Sequence, residues 1–115
     1  MAKQAGFDGL EIHAANGYLI DQFLRDATNQ RNDEYGGNAE NRMRFLNQVI
    51  DAVLEVWESH SVGIRMSPEN TFNDISDSDP QVHFNYFIKQ LKRRNLAYMH
   101  ILEGDMISQS RNLDY

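Results

Sequence analysis

The chain has no cysteine and only two prolines among its 115 residues, and it has no long apolar run. The absence of cysteine excludes disulfide bonds, thiolate metal sites and cysteine nucleophiles, and it fits a reducing compartment. No stretch reaches the length of a membrane span, and the opening residues MAKQA lack the apolar centre of a signal peptide. We therefore expect a cytoplasmic protein without membrane attachment.

Basic residues are also scarce. The 11 lysines and arginines are outnumbered by 17 aspartates and glutamates, which gives a net charge of -6. No broad basic face can form, so nucleic acid is not expected as a partner. A hydrophobic share of 41% nevertheless indicates a folded protein, and the length allows one domain at most. We therefore treat residues 1–115 as a single domain.

Strand-like and helix-like patterns alternate along the chain, with polar loops at 25–38 and 69–79. Met1–Ala5 is predicted to be the last turn of a helix that ends at Gly6. The predicted elements then follow in this order: a strand from about Phe7 to Glu11 or His13, a short helix through Leu19 and Leu24, a helix capped by Asn38 with an apolar stripe to Trp57, a strand at Val62–Ser67, a helix begun by Asp79–Pro80 and closed by Lys92–Arg94, and a strand at Leu96–Leu102.

This alternation predicts an α/β fold with a parallel sheet and right-handed crossovers. Two architectures fit: an open doubly wound sheet, or an arc of a (β/α)8 barrel. A free sheet of three parallel strands is rare because both outer strands present unpaired edges, through which the chain could self-associate. A complete barrel needs ~250 residues, so this chain could hold about three of its eight units.

A histidine, an asparagine and a tyrosine follow the first predicted strand within six residues, as His13, Asn16 and Tyr18. Arg65 lies near the end of the second strand and Glu103 follows the third, so all five belong to one edge of the sheet. A neutral imidazole and a carboxamide can both donate hydrogen bonds to one oxygen, and a phenol can donate a proton. On spacing alone, these residue types more commonly cap turns or fill cores.

A longer pattern surrounds these residues. The run EIHAANGYLIDQFLRDATNQRNDEYGGNAENRMRF (Glu11–Phe45), followed by VGIRMSP and LAYMHILEG, closely resembles the old yellow enzyme family of FMN-dependent ene-reductases. The resemblance implies a partial TIM barrel, the central section of an FMN-binding (β/α)8 barrel from the end of its third helix through its sixth strand. It implies an oxidoreductase that uses NAD(P)H to reduce the activated C=C bonds of enones or maleimides, or nitro compounds.

The resemblance also implies roles for single residues. His13 and Asn16 match the pair that hydrogen-bonds the substrate oxygen, and Tyr18 matches the proton donor to the carbon alpha to the activating group. Arg65 matches an arginine beside the flavin N1 and O2 atoms, where a fixed cation stabilises reduced FMN. Asn16 and the run DATNQR resemble the branch that reduces maleimides, enones and nitrate esters.

The family's other flavin contacts would lie before Met1, and its phosphate-binding loops beyond Tyr115. The alternative function is therefore a catalytically silent barrel section that binds FMN weakly or not at all and persists by self-association.

Several further residues are assigned ordinary roles. No metal site is predicted, because the four histidines lack metal-binding spacing. The remaining expectations are solvated side chains for His60 and His83, core positions for His100 and Trp57, a loop hinge at Gly36–Gly37, a solvated face or an ion-pair network for Asp33, Glu34, Glu40, Arg42 and Arg44, and either a loop anchor or a border of the active-site mouth for Phe72.

Overall fold

The computed structural model describes residues 1–70 and 75–103. Phe72, and the end of the chain after Glu103, lie outside the described residues. The described elements, in chain order, are β1 Leu10–Ala14, α1 Leu19–Leu24, α2 Ala39–Leu54, a short 3-10 helix Ser59–Ser61, β2 Val62–Met66, α3 Pro80–Lys92 and β3 Tyr98–Ile101. The predicted alternation of strands and helices is confirmed.

The three strands form one parallel sheet in the order β1-β2-β3. His13 on β1 is paired with Arg65 on β2, and Arg65 is paired with His100 on β3. Since neighbouring strands are consecutive and parallel, each connection crosses over the same way, as in a barrel wall. Within this sheet β1 and β3 each pair along one side only, and self-association through their other edges stays a prediction.

The two faces of the sheet differ in composition because side chains alternate along a strand. Ile12, Ile64 and Met66 point to the face on which α2 and α3 pack, and they are buried. The helices contribute Leu46, Ile50, Phe84, Phe87 and Leu91 to the same core. The other face, which we call the open face, carries Glu11, His13, Arg65, Tyr98 and His100.

The first residues form a single turn whose end matches the predicted helix terminus. Gly6 has φ +96°, its N–H donates to Lys3 O, and Phe7 N–H donates to Ala2 O, which is the Schellman arrangement. The prediction that the first strand begins near Phe7 is wrong. The Phe7 amide belongs to the turn, its side chain is exposed, and pairing with β2 begins only at Leu10.

Both predicted helix starts are confirmed by their caps. The Asn38 side chain accepts a hydrogen bond from Asn41 N–H at 2.8 Å, and the Asp79 side chain accepts one from Val82 N–H at 3.3 Å, with Pro80 in the first turn. Trp57 is buried, as predicted. Among the described helices, none combines the length and the apolar character needed to cross a membrane.

Candidate active site

A tight turn at the carboxyl end of β1 shapes the centre of the candidate site. Tyr18 N–H donates to Ala15 O at 3.3 Å, and the two central residues, Asn16 and Gly17, have φ of 59° and 75°. Asparagine and glycine are the residues that best tolerate this left-handed backbone. The Asn-Gly pair therefore turns the chain immediately after the strand and leaves Asn16 beside the strand end.

The turn brings two of the sequence-predicted residues, His13 and Tyr18, together at the carboxyl end of β1. The rings of His13 and Tyr18 lie 5.4 Å apart between centroids and are tilted by 47°. His13 is paired in register with Arg65 on the neighbouring strand. His13 and Tyr18 are both exposed, so a ligand can reach them. Glu103, which follows β3, is also exposed.

Two residues after β2 hold Asn16, and neither was predicted from the sequence. The Ser67 hydroxyl accepts a hydrogen bond from Asn16 N–H at 2.7 Å, and Asn70 Nδ2 donates to Asn16 Oδ1 at 3.0 Å. Ser67 and Asn70 are both fully buried. Ser67 was predicted as the last residue of the strand Val62–Ser67, and Asn70 follows it closely. Their position at the edge of the sheet where β1 also ends was the signal that could have identified them.

A buried ion pair on α1 supports the same turn. Asp21 Oδ2 accepts from Gly17 N–H at 3.0 Å, and Asp21 Oδ1 accepts from Arg25 Nε at 2.9 Å. Arg25 also donates to Pro68 O at 2.9 Å and to Ser67 O, and its guanidinium lies over the Phe84 ring. Burial raises the pKa of Asp21, although the charge of Arg25 opposes that shift.

This pair was not predicted from the sequence, because Arg25 opens the polar run that reads as a loop, whereas in the structure it caps the end of α1. An acid and a base four residues apart lie on one helix face, and here that face is buried. The pair joins α1 to the backbone that follows β2.

The positively charged side chain of Arg65 is half-buried, and its strand position is paired with that of His13. Its Nε atom is buried and has no hydrogen-bond partner among the described residues. A buried guanidinium nitrogen without an acceptor is costly, and guanidinium groups pair well with carbonyl or anionic oxygens. Arg65 therefore fits the edge of a flavin ring, whose carbonyl oxygens are acceptors of this kind.

A second polar cluster on the open face joins β1 to β3 and consists of Glu11, Tyr98 and His100. Glu11 Oε2 accepts from the Tyr98 hydroxyl at 3.0 Å and lies 3.2 Å from His100 Nδ1. Although desolvation acts to raise the pKa of Glu11, these two hydrogen bonds and the charges of His100 and Arg65 lower it overall. The hydrogen bond to Glu11 raises the pKa of Tyr98. The expectation of a core position for His100 is wrong: its position in the strand alternation places it on the open face.

The two remaining histidines differ from each other. His60 is exposed, as expected, and pairs with Glu58. The expectation for His83 is wrong, since it lies in the first turns of α3 with Nδ1 against the buried carboxylate of Asp77. Asp26, Asp77 and His83 bring possible metal-ligand atoms within 4.8 Å of one another. These side chains already have hydrogen-bond partners. The Asp26 carboxylate accepts from Ser78 N–H, and the Asp77 carboxylate accepts from Asp26 N–H and lies against His83 Nδ1.

The polar loop between α1 and α2 is held by arginines that bind backbone carbonyls. Buried Arg42 donates to Leu24 O at 2.9 Å and to Gly37 O, and Arg44 donates to Glu34 O at 2.8 Å. Arg31 and Asp33 form an exposed ion pair. Neither expectation, an ion-pair network or a solvated face, describes Arg42, because its guanidinium replaces missing backbone partners in a loop without ladder hydrogen bonds.

Comparison with known proteins decides between the two architectures that the alternation left open. Residues 1–113 match the family model described as NADH:flavin oxidoreductase / NADH oxidase. The chain belongs to this family. Family membership confirms the resemblance drawn from the motifs and assigns an oxidoreductase family to the chain.

Individual relatives agree with the family match. A Leishmania infantum protein described as a probable flavin mononucleotide-dependent alkene reductase is 54% identical over 113 residues, which are 98% of this chain and 31% of that protein. Morphinone reductase superposes with a TM-score of 0.90 at 46% identity, over 96% of this chain and 30% of its own. A second structure of that protein is a complex with tetrahydroNAD.

The old yellow enzyme from Trypanosoma cruzi also superposes with a TM-score of 0.90, at 37% identity, over 96% of this chain and 30% of its own. The chain thus spans about 30% of the length of these relatives. The three parallel strands and their helices match an arc of the old yellow enzyme barrel, so the predicted partial TIM barrel is confirmed.

Proposed function

We propose that this chain supplies the substrate-polarising and proton-donating groups of an FMN-dependent reductase of activated alkenes. The observation that carries the proposal is that the rings of His13 and Tyr18 lie together at the carboxyl end of β1, where Asn16 also lies, and that His13 is paired in register with Arg65 on the open face. Active sites of barrel enzymes are built at this end of the strands. An oxidoreductase family and a relative described as an alkene reductase support the same reaction class.

The proposed roles follow from the chemistry of each side chain. His13 and Asn16 donate hydrogen bonds to the carbonyl or nitro oxygen of the substrate and draw electron density from the conjugated C=C bond. The beta carbon of that bond then accepts hydride more readily. Tyr18, beside His13, donates a proton to the alpha carbon, so that hydride and proton together saturate the bond.

Arg65 is the residue of this chain proposed to contact FMN. Bound FMN supplies the hydride chemistry, in exchange with a nicotinamide cofactor. The buried Nε of Arg65 provides a fixed donor and positive charge for the flavin edge. We propose NADH or NADPH as the reductant, in line with the family description and with the tetrahydroNAD complex of morphinone reductase. The proposed substrates are enones, maleimides and nitro compounds.

The test is ligand binding by the natural gene product that carries this chain, loaded with FMN. A phenolate oxygen imitates the substrate oxygen, so we expect para-chlorophenol to perturb the flavin absorbance and to bind at the His13–Asn16 pair. His13→Ala removes one charge-assisted hydrogen bond and should weaken binding by roughly 10-fold to 100-fold. Titration of the flavin spectrum measures the dissociation constant.

The matched control is His60→Ala, which removes an exposed histidine from the 3-10 helix before β2. It should leave both the phenol affinity and the retained FMN unchanged. Equal phenol affinity in His13→Ala and the wild type would refute the proposed role of His13. The alternative of a catalytically silent chain stays a prediction.

A further inference from the structure

We propose that Asn70 is a positioning residue that orients the Asn16 carboxamide with its donor group towards the substrate oxygen. This inference rests on the proposed function, because it concerns how Asn16 is prepared for that role. Nothing in the sequence motif around His13 points to Asn70, which lies 54 residues beyond Asn16 in the chain.

The contact between the two side chains is specific. Asn70 Nδ2 donates to Asn16 Oδ1 at 3.0 Å, and Asn70 is fully buried while Asn16 is half-buried. Asn70 N–H in turn donates to Ser67 O at 3.2 Å, which closes a turn directly after β2. A buried side chain on a closed turn has few alternative positions, so the Asn70 carboxamide stays beside Asn16.

The backbone of Asn16 is fixed independently of this contact. The Ser67 hydroxyl accepts from Asn16 N–H at 2.7 Å, and Asp21 holds the next amide, that of Gly17. The terminal torsion of an asparagine side chain is broad and roughly two-fold, so the Asn16 carboxamide has two main orientations. The two orientations exchange the oxygen and the NH2 group.

That exchange matters chemically because one end of a carboxamide only accepts hydrogen bonds and the other only donates them. With Oδ1 bound to the Asn70 amide, the Nδ2 end of Asn16 lies on the opposite side of the group. A flipped carboxamide would place an acceptor there, and an acceptor repels a substrate oxygen. Asn70 thereby selects the orientation in which Asn16 can polarise the substrate.

The experiment replaces Asn70 with residues of nearly the same shape. Asn70→Asp offers an acceptor in place of the donor, so it should bind Asn16 Nδ2 and flip the carboxamide. Asn70→Leu offers neither and should leave the two orientations mixed. The FMN-loaded natural gene product is titrated with para-chlorophenol, which presents an oxygen acceptor, and with para-chloroaniline, which presents N–H donors. Retained FMN is measured in each variant from its absorbance.

We expect Asn70→Asp to weaken phenol binding by roughly tenfold or more and to strengthen aniline binding, with full FMN retention. Asn70→Leu should change both affinities less. A role in folding alone would weaken both ligands together. A variant that weakens the phenol and leaves the aniline unchanged would indicate only the added negative charge, and it would overturn the proposal, as would unchanged phenol binding.

The His13→Ala variant in the same titrations separates this proposal from the proposed function. If His13→Ala loses phenol affinity while Asn70→Asp keeps the wild-type ratio of the two affinities, the orienting role of Asn70 is wrong and the substrate site stands. If His13→Ala binds the phenol normally, the proposed function itself fails.

Discussion

The two faces of the three-stranded sheet differ in composition: one is apolar and covered by helices, and the other carries the polar groups of the candidate site. The helix-covered face is apolar throughout, and Ile12, Ile64 and Met66 are buried against α2 and α3. The open face places Glu11, His13 and Arg65 within one pair of strands. Because side chains alternate along a strand, every second residue packs in the core and the residue between belongs to the polar face.

Residues of the candidate site and residues of the core alternate along the same strand. Arg65 lies between Ile64 and Met66, two residues of the core. The core fixes the strand, and the strand fixes the position of the guanidinium. Changes on the two faces should therefore have separable effects, on the free energy of unfolding and on ligand or flavin binding.

The largest contrast is expected from two neighbouring substitutions on β2. Ile64→Ala removes a fully buried side chain and should lower the free energy of unfolding by about 2–5 kcal/mol. Arg65→Ala, its matched control on the open face, should change it by less than about 1 kcal/mol, because the buried Nε loses no hydrogen bond to a described residue.

Urea unfolding of the flavin-free natural gene product measures both free energies. Retention of FMN after gel filtration should show the reverse order, with Arg65→Ala losing more flavin than Ile64→Ala at a temperature where both are folded. Similar losses of stability in the two variants would contradict the division between the faces.

A smaller effect is expected from Gly63→Ala on the open face. A Cβ at Gly63 would lie 2.2 Å from Cζ of the Tyr98 ring, which crosses this glycine to reach Glu11. The ring must move, and we expect a cost of about 1–3 kcal/mol. In the double variant Gly63→Ala with Tyr98→Ala, the clash is absent, so the two effects should be less than additive. Additive losses in urea unfolding would show that the close approach is unimportant.

The smallest effect is expected from Glu11→Gln, and it depends on pH. The pKa of Glu11 is lowered from its ordinary value of 4.5. A lowered pKa means that the carboxylate stabilises the fold above pH 4.5 and that this contribution is lost as the pH falls through the folded-state pKa. The variant should therefore be less stable than the wild type at neutral pH, by less than about 1 kcal/mol, and equally stable in acid.

Urea midpoints across this pH range measure the difference, with the exposed Glu58→Gln as the matched control. A Glu11→Gln difference that persists unchanged into acid would show that the carboxylate charge is not its source.

Local signals in the sequence predicted the elements well where the cause was local. The Asn38 and Asp79 caps, the Asn16-Gly17 turn and the glycine that ends the first turn each depend on a few consecutive residues. The start of β1 was misplaced because Phe7 is apolar but its amide is used by the preceding turn. Apolar pattern alone does not show where a backbone amide is already bonded.

The contacts that complete the site could not be predicted from local signals in the sequence. Ser67 and Asn70 hold Asn16 across more than 50 residues, and Arg25 binds carbonyls 42 and 43 residues away. His83 was misjudged for a different reason: its partner Asp77 lies only six residues before it, but the sequence does not show that this carboxylate is buried. Sequence spacing contains no information about which loops meet.

The sequence by itself determined the alternation of strands and helices, the family, and the residue types available for chemistry, because these depend on local pattern and on motif. Only the tertiary structure decided that His13 and Arg65 stand side by side, that Glu11 is shared by Tyr98 and His100, and that Asn70 meets Asn16. Strand register and the crossing of two loops bring these groups together, and both are set by the packing of helices on the opposite face of the sheet.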